Sequence, residues 1–203
     1  MVYLTKDEIK GHSKIAYTDL GYATDALFDT FLDTVIVLAD GVIDNYCRVP
    51  AGFFEAAGIA LSNELLDFCY PWLSLRHFPV LSISKVEYNS SGYGQAASWV
   101  TIVKPDYMVK LPEGLVMLVN KTPAVIENSV RVSYTAGYSA VPSAIKQVAI
   151  QLCCNALHVI LQRKINPIIR QDEFTSRLLS SDILTRELQT VLSPFVHRST
   201  GTG

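Results

Sequence analysis

The stretch 130–146, VRVSYTAGYSAVPSAIK, most constrains what this chain can fold into. Val130, Val132 and Tyr134 alternate with Arg131, Ser133 and Thr135, the period of two that places one set of side chains on each face of a strand. Ala136-Gly137 breaks the pattern, and glycine takes a positive φ without steric cost. Pro142 stands where a helix would begin, because the N–H it lacks has no partner in a first turn anyway. A long apolar run follows. The order strand, tight turn, helix joins a β region on one side to a helical region on the other. No nucleophile, base or metal-ligand arrangement lies within it.

Helical periodicity begins at residue 24. Phe28, Phe31 or Leu32, Val35, Leu38 or Ala39, Val42 and Tyr46 recur at spacings of three and four. Asp25, Asp29 and Asp33 mark the wet face, and acids in the first turns suit the positive end of the helix dipole. Pro50 ends the run. Upstream, Thr5 followed by Glu8 has the form of a capping box for a short helix in an otherwise tail-like 1–23. Residues 51–62 are small and apolar, and fit a short helix or an ordered loop.

The period then changes to that of strands. Short extended runs at 64–68 and 73–75 flank Pro71, and 81–88 is the strongest strand of this half. Its apolar phase slips from Leu81 and Ile83 to Val86 and Tyr88, which predicts a bulge near Ser84-Lys85. Runs at 99–103, 107–111 and 115–119 are separated by turns too short for a parallel crossover, so they are expected to pair antiparallel. With 130–134 they would form a small sheet.

The helix from Pro142 runs to about residue 164. Ile145, Val148, Ala149, Leu152, Ala156, Val159 and Ile160 form a broad face, widened by Cys153, Leu157 and Leu161. A helix this apolar is buried on more than one side, as the central helix, a protomer contact, or both. Residues 168–180 fit a helix face or an extended arm. Ser181 would cap a last helix carrying Leu184, Leu188 and Val191 on one side, closed by Pro194. The fold class is therefore α+β, a helical bundle with a small antiparallel β-sheet inserted between the N-terminal helix and a long central helix. The expected organisation is a tail at 1–23, a single domain at 24–192 with helices at 24–47, 142–164 and 182–192 and a β insertion at about 64–135, and a flexible C-terminal tail at 193–203.

Composition narrows the function classes. Of 203 residues 49% are hydrophobic and 18% charged, an apolar excess that an oligomer interface would cover or a large core would take up. The net charge of −2 gives no basic footprint for nucleic acid. Cys47, Cys69, Cys153 and Cys154 form no CxxC pair and no metal ladder, and adjacent cysteines on a helix point apart, so reduced thiols are expected. The N-terminal residues have no secretory pattern, and the apolar runs at 26–43 and 144–161 are interrupted by acids, amides and Lys146, which reads them as protein helices rather than membrane spans.

Each chemistry candidate has a plainer reading. Cys154 and His158, four apart, could supply half a metal site or a Cys/His nucleophile, but a thiol beside a packed histidine explains them with less. Asp25, Asp29, Asp33 and Asp40 could hold a divalent cation, or be the solvated face of a helix. Gly92-Tyr93-Gly94 lacks the strand and helix that a phosphate loop needs. Arg163, Lys164 and Arg170 complement a helix C-terminus, or meet an acidic partner or passing DNA. Tyr134 and Tyr138 flank the turn as packing residues, with an interface role second.

The run YTAGYSAVPSAIK, a strand ending in Tyr134-Thr135-Ala136-Gly137-Tyr138 followed by Val141-Pro142 and an apolar helix, resembles the head–tail connector (adaptor, or head-completion) proteins of tailed bacteriophages. Other parts agree in order across roughly 24–198: a first helix ending at Tyr46-Cys47-Arg48, the run Leu73 to Val80 leading into Ile83-Ser84-Lys85-Val86, and a leucine-rich close from Leu188 to Phe195. The segments 51–62 and 168–180 depart from that pattern.

The resemblance implies a structural virion protein of the neck, made in the host cytoplasm, and not an enzyme. It would form a ring of itself, typically twelve copies, beneath the portal protein. The ring would extend the DNA channel without sequence-specific DNA binding, dock a stopper or tail-completion protein, and need no cofactor, metal or membrane. Ring packing would use helices 26–46 and 142–164. Leu184, Leu188 and Phe195, with Arg163, Lys164 and Arg170, are the candidate portal or ring contacts. The alternatives are a tail-terminator or stopper ring, a small cytosolic enzyme or metal-binding protein using Cys154 and His158, and a cytosolic binding module.

Overall fold

In a computed structural model of the chain, residues 3–68, 71–123, 127–165 and 184–197 are described, without the side chains of 163–165. The elements among them are α1 (Lys6–Ser13), α2 (Asp25–Cys47), β1 (Ile59–Leu66), β2 (Leu73–Ser74), β3 (Val80–Asn89), β4 (Trp99–Ile102), β5 (Tyr107–Lys110), β6 (Leu115–Leu118), β7 (Val130–Ala136), α3 (Ser143–Ile165) and α4 (Arg186–Leu192). The fold is α+β and forms two compact units, Met1–Phe54 with Val141–Arg198, and Glu55–Ala140. The second is inserted in the first between α2 and α3.

The helical unit is built around α3, which packs against α1, α2 and α4. Ile145, Val148, Ala149, Leu152, Cys153, Ala156 and Leu157 are buried along it. Its far side carries Gln147, Gln151, Asn155, His158 and Gln162, all exposed. Val159 is 40% exposed, so the apolar face narrows toward the C-terminal end. Ser143–Gln162 is long and apolar enough to cross a bilayer by length and composition. The amides lie on one side and the buried aliphatics on the other, as in a helix packed against protein.

On α2 the open choices resolve to Leu32 and Ala39, and burial extends to Ile36, Ile43, Cys47, Asp40 and Asp44. Asp40 is thus a correction to the solvated acidic stripe. The cause is upstream. The first residues, read as a tail, hold a helix capped by Thr5 in the expected box with Glu8, and bury Tyr3, Leu4, Ile9 and Ile15. The Tyr3 main-chain N–H donates to Asp40 Oδ2 at 3.2 Å, and the Tyr3 hydroxyl donates to Asp44. The Asp44 carboxylate also accepts the N–H of Gly52 at 3.1 Å. Buried carboxylates are tolerable when their oxygens are hydrogen-bonded in this way. Lys10 reaches Asp25 (2.9 Å) and Asp29 (2.6 Å), Lys6 reaches Asp33 (3.1 Å), and Lys146 pairs with Glu8, so α1 lies along the acidic face of α2.

The inserted unit contains a four-stranded sheet in the order β1-β7-β3-β4 and a three-stranded sheet in the order β2-β6-β5, all antiparallel. One sheet was expected; strand alternation fixes which face a residue takes, not which strand lies alongside. β4 pairs back onto β3, while β6 takes both β5 and β2 as neighbours. The expected bulge is present as a register shift between Ile83 and Lys85, with a second between Val80 and Ser82. The 51–62 segment is neither of the two expectations alone. Phe53 and Phe54 are buried in a turn, and β1 begins at Ile59. β7 alternates strictly, with Val130, Val132, Tyr134 and Ala136 buried. The Tyr134 hydroxyl donates to Glu64 of β1 and accepts the His77 N–H at 3.3 Å, and Glu64 Oε1 accepts the Arg76 N–H at 2.8 Å. Burial, then the Glu64 carboxylate, push the Tyr134 phenol well above its ordinary range.

Gly58 turns the chain into β1 with φ of +64°, and a Cβ there would stand 2.3 Å from the Ala136 carbonyl oxygen. Gly58→Ala is expected to destabilise the protein by on the order of 3 kcal/mol, since strain and a backbone clash act together. Urea unfolding of the variant checks this, and an unchanged midpoint would mean that the turn can reposition freely.

Candidate assembly surfaces

Three surfaces stand out, each within one unit. The first is the outer face of α2. Leu27, Thr30, Thr34, Val37 and Asn45 are exposed in helical register with half-buried Gly41, and none is charged. Leu27 is 54% and Val37 59% exposed. The three acids nearest the helix start turn instead toward the lysines of α1.

The second is the C-terminal segment. α4 is capped by the Thr185 hydroxyl, which accepts the Leu188 N–H, a shorter helix than the expected 182–192. Residues 182 and 183 lie outside the described residues. Leu184 and Leu188 are buried in the helical unit, together with Leu192. A 3-10 turn, Ser193–Phe195, follows. Phe195 lies edge-on to Phe54, His197 edge-on to Phe53, and Phe53, Phe54 and Tyr3 stack edge-to-face in turn. The His197 N–H donates to the Cys47 carbonyl at 2.9 Å. Within the expected flexible tail, Phe195 and His197 are thus seated on an aromatic cluster. Of the basic group, Arg163 and Lys164 fall in the last turn of α3, where only the main chain is described, and Arg170 lies outside the described residues.

The third is the outer face of the larger sheet. Glu87 and Arg131 are directly opposed on β3 and β7. The Arg131 Nε donates to Glu87 Oε2 at 2.5 Å, Lys85 reaches Glu87 Oε1 at 2.8 Å, and the guanidinium lies 4.5 Å from the Trp99 ring centre. Under this cover the Glu87 side chain is only 4% exposed. Sequence alternation alone gave no sign of the pair, because recognising it needs the strand order.

The chemistry candidates do not converge. Cys154 is half-buried and His158 exposed, so the packed-histidine reading does not hold, and burial raises the Cys154 thiol above its ordinary range. Burial pushes Cys47 and Cys153 up to about 12, away from thiolate chemistry. Among the described residues no group of three or more His, Cys, Asp or Glu could hold a metal ion. Gly92-Tyr93-Gly94 is the tip of the β3–β4 hairpin, with Tyr93 93% exposed.

The Arg131 hydrogen bond first, and Lys85 second, hold the Glu87 carboxyl down at about 2, against an ordinary 4.5. A depressed acid stabilises the fold fully above pH about 4.5, and that contribution is lost as the pH falls toward 2. Glu87→Gln should thus lower stability at pH 7 by on the order of 2 kcal/mol and flatten the pH dependence between those limits. Urea unfolding at pH 7, 4 and 3 reads both effects; parallel curves for the two proteins would remove Glu87 as the source.

No protein-family model and no curated protein matches the chain. Among solved structures it is similar to a chain described as the neck of an empty GTA particle computed with C6 symmetry, with a TM-score of 0.55 and 14% identity, over 99% of this chain and 93% of the other. The fold is therefore that of a chain of a particle neck, from end to end.

Proposed function

We propose that this chain is a structural neck protein of a phage-like particle, a head–tail adaptor. Copies of it form a ring beneath the portal, extend the channel through which DNA passes, and dock the stopper or tail. The observation that carries this reading is the end-to-end fold likeness to a neck chain of a GTA (gene transfer agent) particle. A local likeness could arise from a common bundle or sheet; one that spans helices, inserted sheets and closing helix follows the whole chain order. The C6 symmetry of that neighbour supports a ring, and twelve copies would place two in each sixfold repeat.

In this reading the uncharged face of α2 and the amide side of α3 are ring contacts. Such faces cost little to desolvate compared with charged ones. The portal contact is assigned to the C-terminal end. Leu184 and Leu188 seat α4 on its own helical unit, half-buried Phe195 follows exposed Ser193 and Pro194, and Arg163, Lys164 and Arg170 offer cations to an acidic partner surface. The net charge of −2 suits a channel wall that must not retain DNA, since lysines and arginines are what bind phosphates.

The test is the solution mass of the purified chain, alone and mixed with the portal protein of the same particle. A ring-sized species, or a protomer that joins the portal in several copies, is expected. A protomer that ignores the portal would end the adaptor reading. Deleting 193–203 removes Phe195 and His197 from the aromatic cluster, and should abolish portal binding while the helices stay folded at some cost in stability; full-strength binding by that chain would move the contact elsewhere.

A further inference from the structure

A β-sheet ends in strands whose outer N–H and C=O groups have no neighbour, and proteins guard such edges with charge, proline, bulges or shortness. The two sheets have four edges among the described residues: β1, β4, β2 and β5. β1 is bulged between Leu61 and Glu64, with Asn63 at φ of +57° and Glu64 at the bend. β2 has two residues. β5 follows Pro105 and ends at Lys110. β4 is four residues long and leads to Lys104-Pro105, but within the strand it has no charge, no proline and no bulge. From Asn89 to Val103 there is no charged residue and no proline. Val100 is 40% and Val103 66% exposed, and Thr101 is exposed as well.

The direction of the free groups follows from register. The Ser90 N–H donates to the Ser98 carbonyl at 2.8 Å. In an antiparallel pair the hydrogen-bonded positions alternate, so Val100 opposite Tyr88 and Ile102 opposite Val86 bond to β3, while Trp99 and Thr101 turn N–H and C=O outward. The loop that leads into β4 is held in one shape. Asn89 Oδ1 accepts the N–H groups of Ser91 (3.0 Å) and Ser98 (3.1 Å), and the Ser90 hydroxyl donates to the Ser98 carbonyl (3.1 Å). Tyr93 stands at its tip, an aromatic presented at low entropic cost by a Ser/Gly-rich loop.

We infer that the β4 edge is a strand-addition site, completed by an extended segment of the next copy of this chain. The inference rests on the ring reading above. Copies repeated about one axis, as in the C6 neighbour, bring the flank of each against the next. An edge strand without charges of its own and with apolar side chains suits main-chain pairing with protein. The contact is heterologous, because β4 pairing with its own copy would close a dimer instead of a ring.

Residue-resolved hydrogen exchange, on the full chain in the ring and in the protomer obtained by dilution, tests this. The Trp99 and Thr101 amides should slow by at least about tenfold on assembly, while Val100 and Ile102, already bonded to β3, change little. A ring in which Trp99 and Thr101 exchange as fast as in the protomer overturns the strand addition and leaves the ring reading standing. Absence of a ring at any concentration, alone or with portal, overturns both. Thr101→Pro removes one outward N–H without touching the β3 ladder, and should raise the concentration at which rings form at least about tenfold with an unchanged melting temperature. Rings of undiminished stability would count against the proposal. If that variant does not fold, Thr101→Lys, which keeps the N–H and places a charge at the edge, carries the same expectation.

Discussion

Much of the inserted unit depends on β7 being paired on both sides. β1 and β3 share no hydrogen bonds with each other; each is held by β7, and β4 is held through β3. A central strand must therefore satisfy its own ladder twice and bury one face, which explains the strict alternation of Val130, Val132, Tyr134 and Ala136. Tyr134 adds a side-chain link where main-chain pairing stops. Its hydroxyl ties β7 to Glu64 of β1 and to the 76–77 connection. Glu87 and Arg131 do the equivalent on the opposite face, across β3 and β7.

The same strand leads directly into α3, around which the other helices of their unit are arranged. One short stretch of sequence thus supplies the central element of each unit. The end-to-end likeness to a neck chain is one of fold, the course of the backbone through both units. At 14% identity such a likeness is carried by burial pattern and element order, not by particular residues.

Where periodicity was strong, the sequence was readable. Both long helices, the bulge at Ile83–Lys85 and the strand runs at 99–103, 107–111 and 115–119 follow from apolar spacing alone. Partnership was not readable. Two sheets and one sheet demand the same alternation, so the division into β1-β7-β3-β4 and β2-β6-β5 had no local signal. Asp40 looked like a solvent-facing acid because its partner, the Tyr3 N–H, is supplied from outside the helix. Phe195 and His197 follow a proline and lead into Ser, Thr and Gly, the composition of a loose end, and only the aromatic cluster at Phe53 and Phe54 gives them a place. Of the candidate surfaces, the exposed face of α2 lies on a helix that apolar spacing marks, whereas the β4 edge is defined by what the other three edges carry.

The discontinuity of the helical unit has a consequence for the order in which the protein can be made. Its core takes residues from both ends of the chain, with Tyr3 against Phe54 and His197 bonded to Cys47. The inserted unit, Glu55–Ala140, is contiguous and can close as soon as it leaves the ribosome. The helical unit cannot complete its aromatic cluster until Phe195 and His197 emerge. A chain interrupted before α4 would therefore hold a closed β unit and an open bundle, and the faces of α2 and α3 would be presented on a closed bundle only once α4 and the 193–197 segment are made.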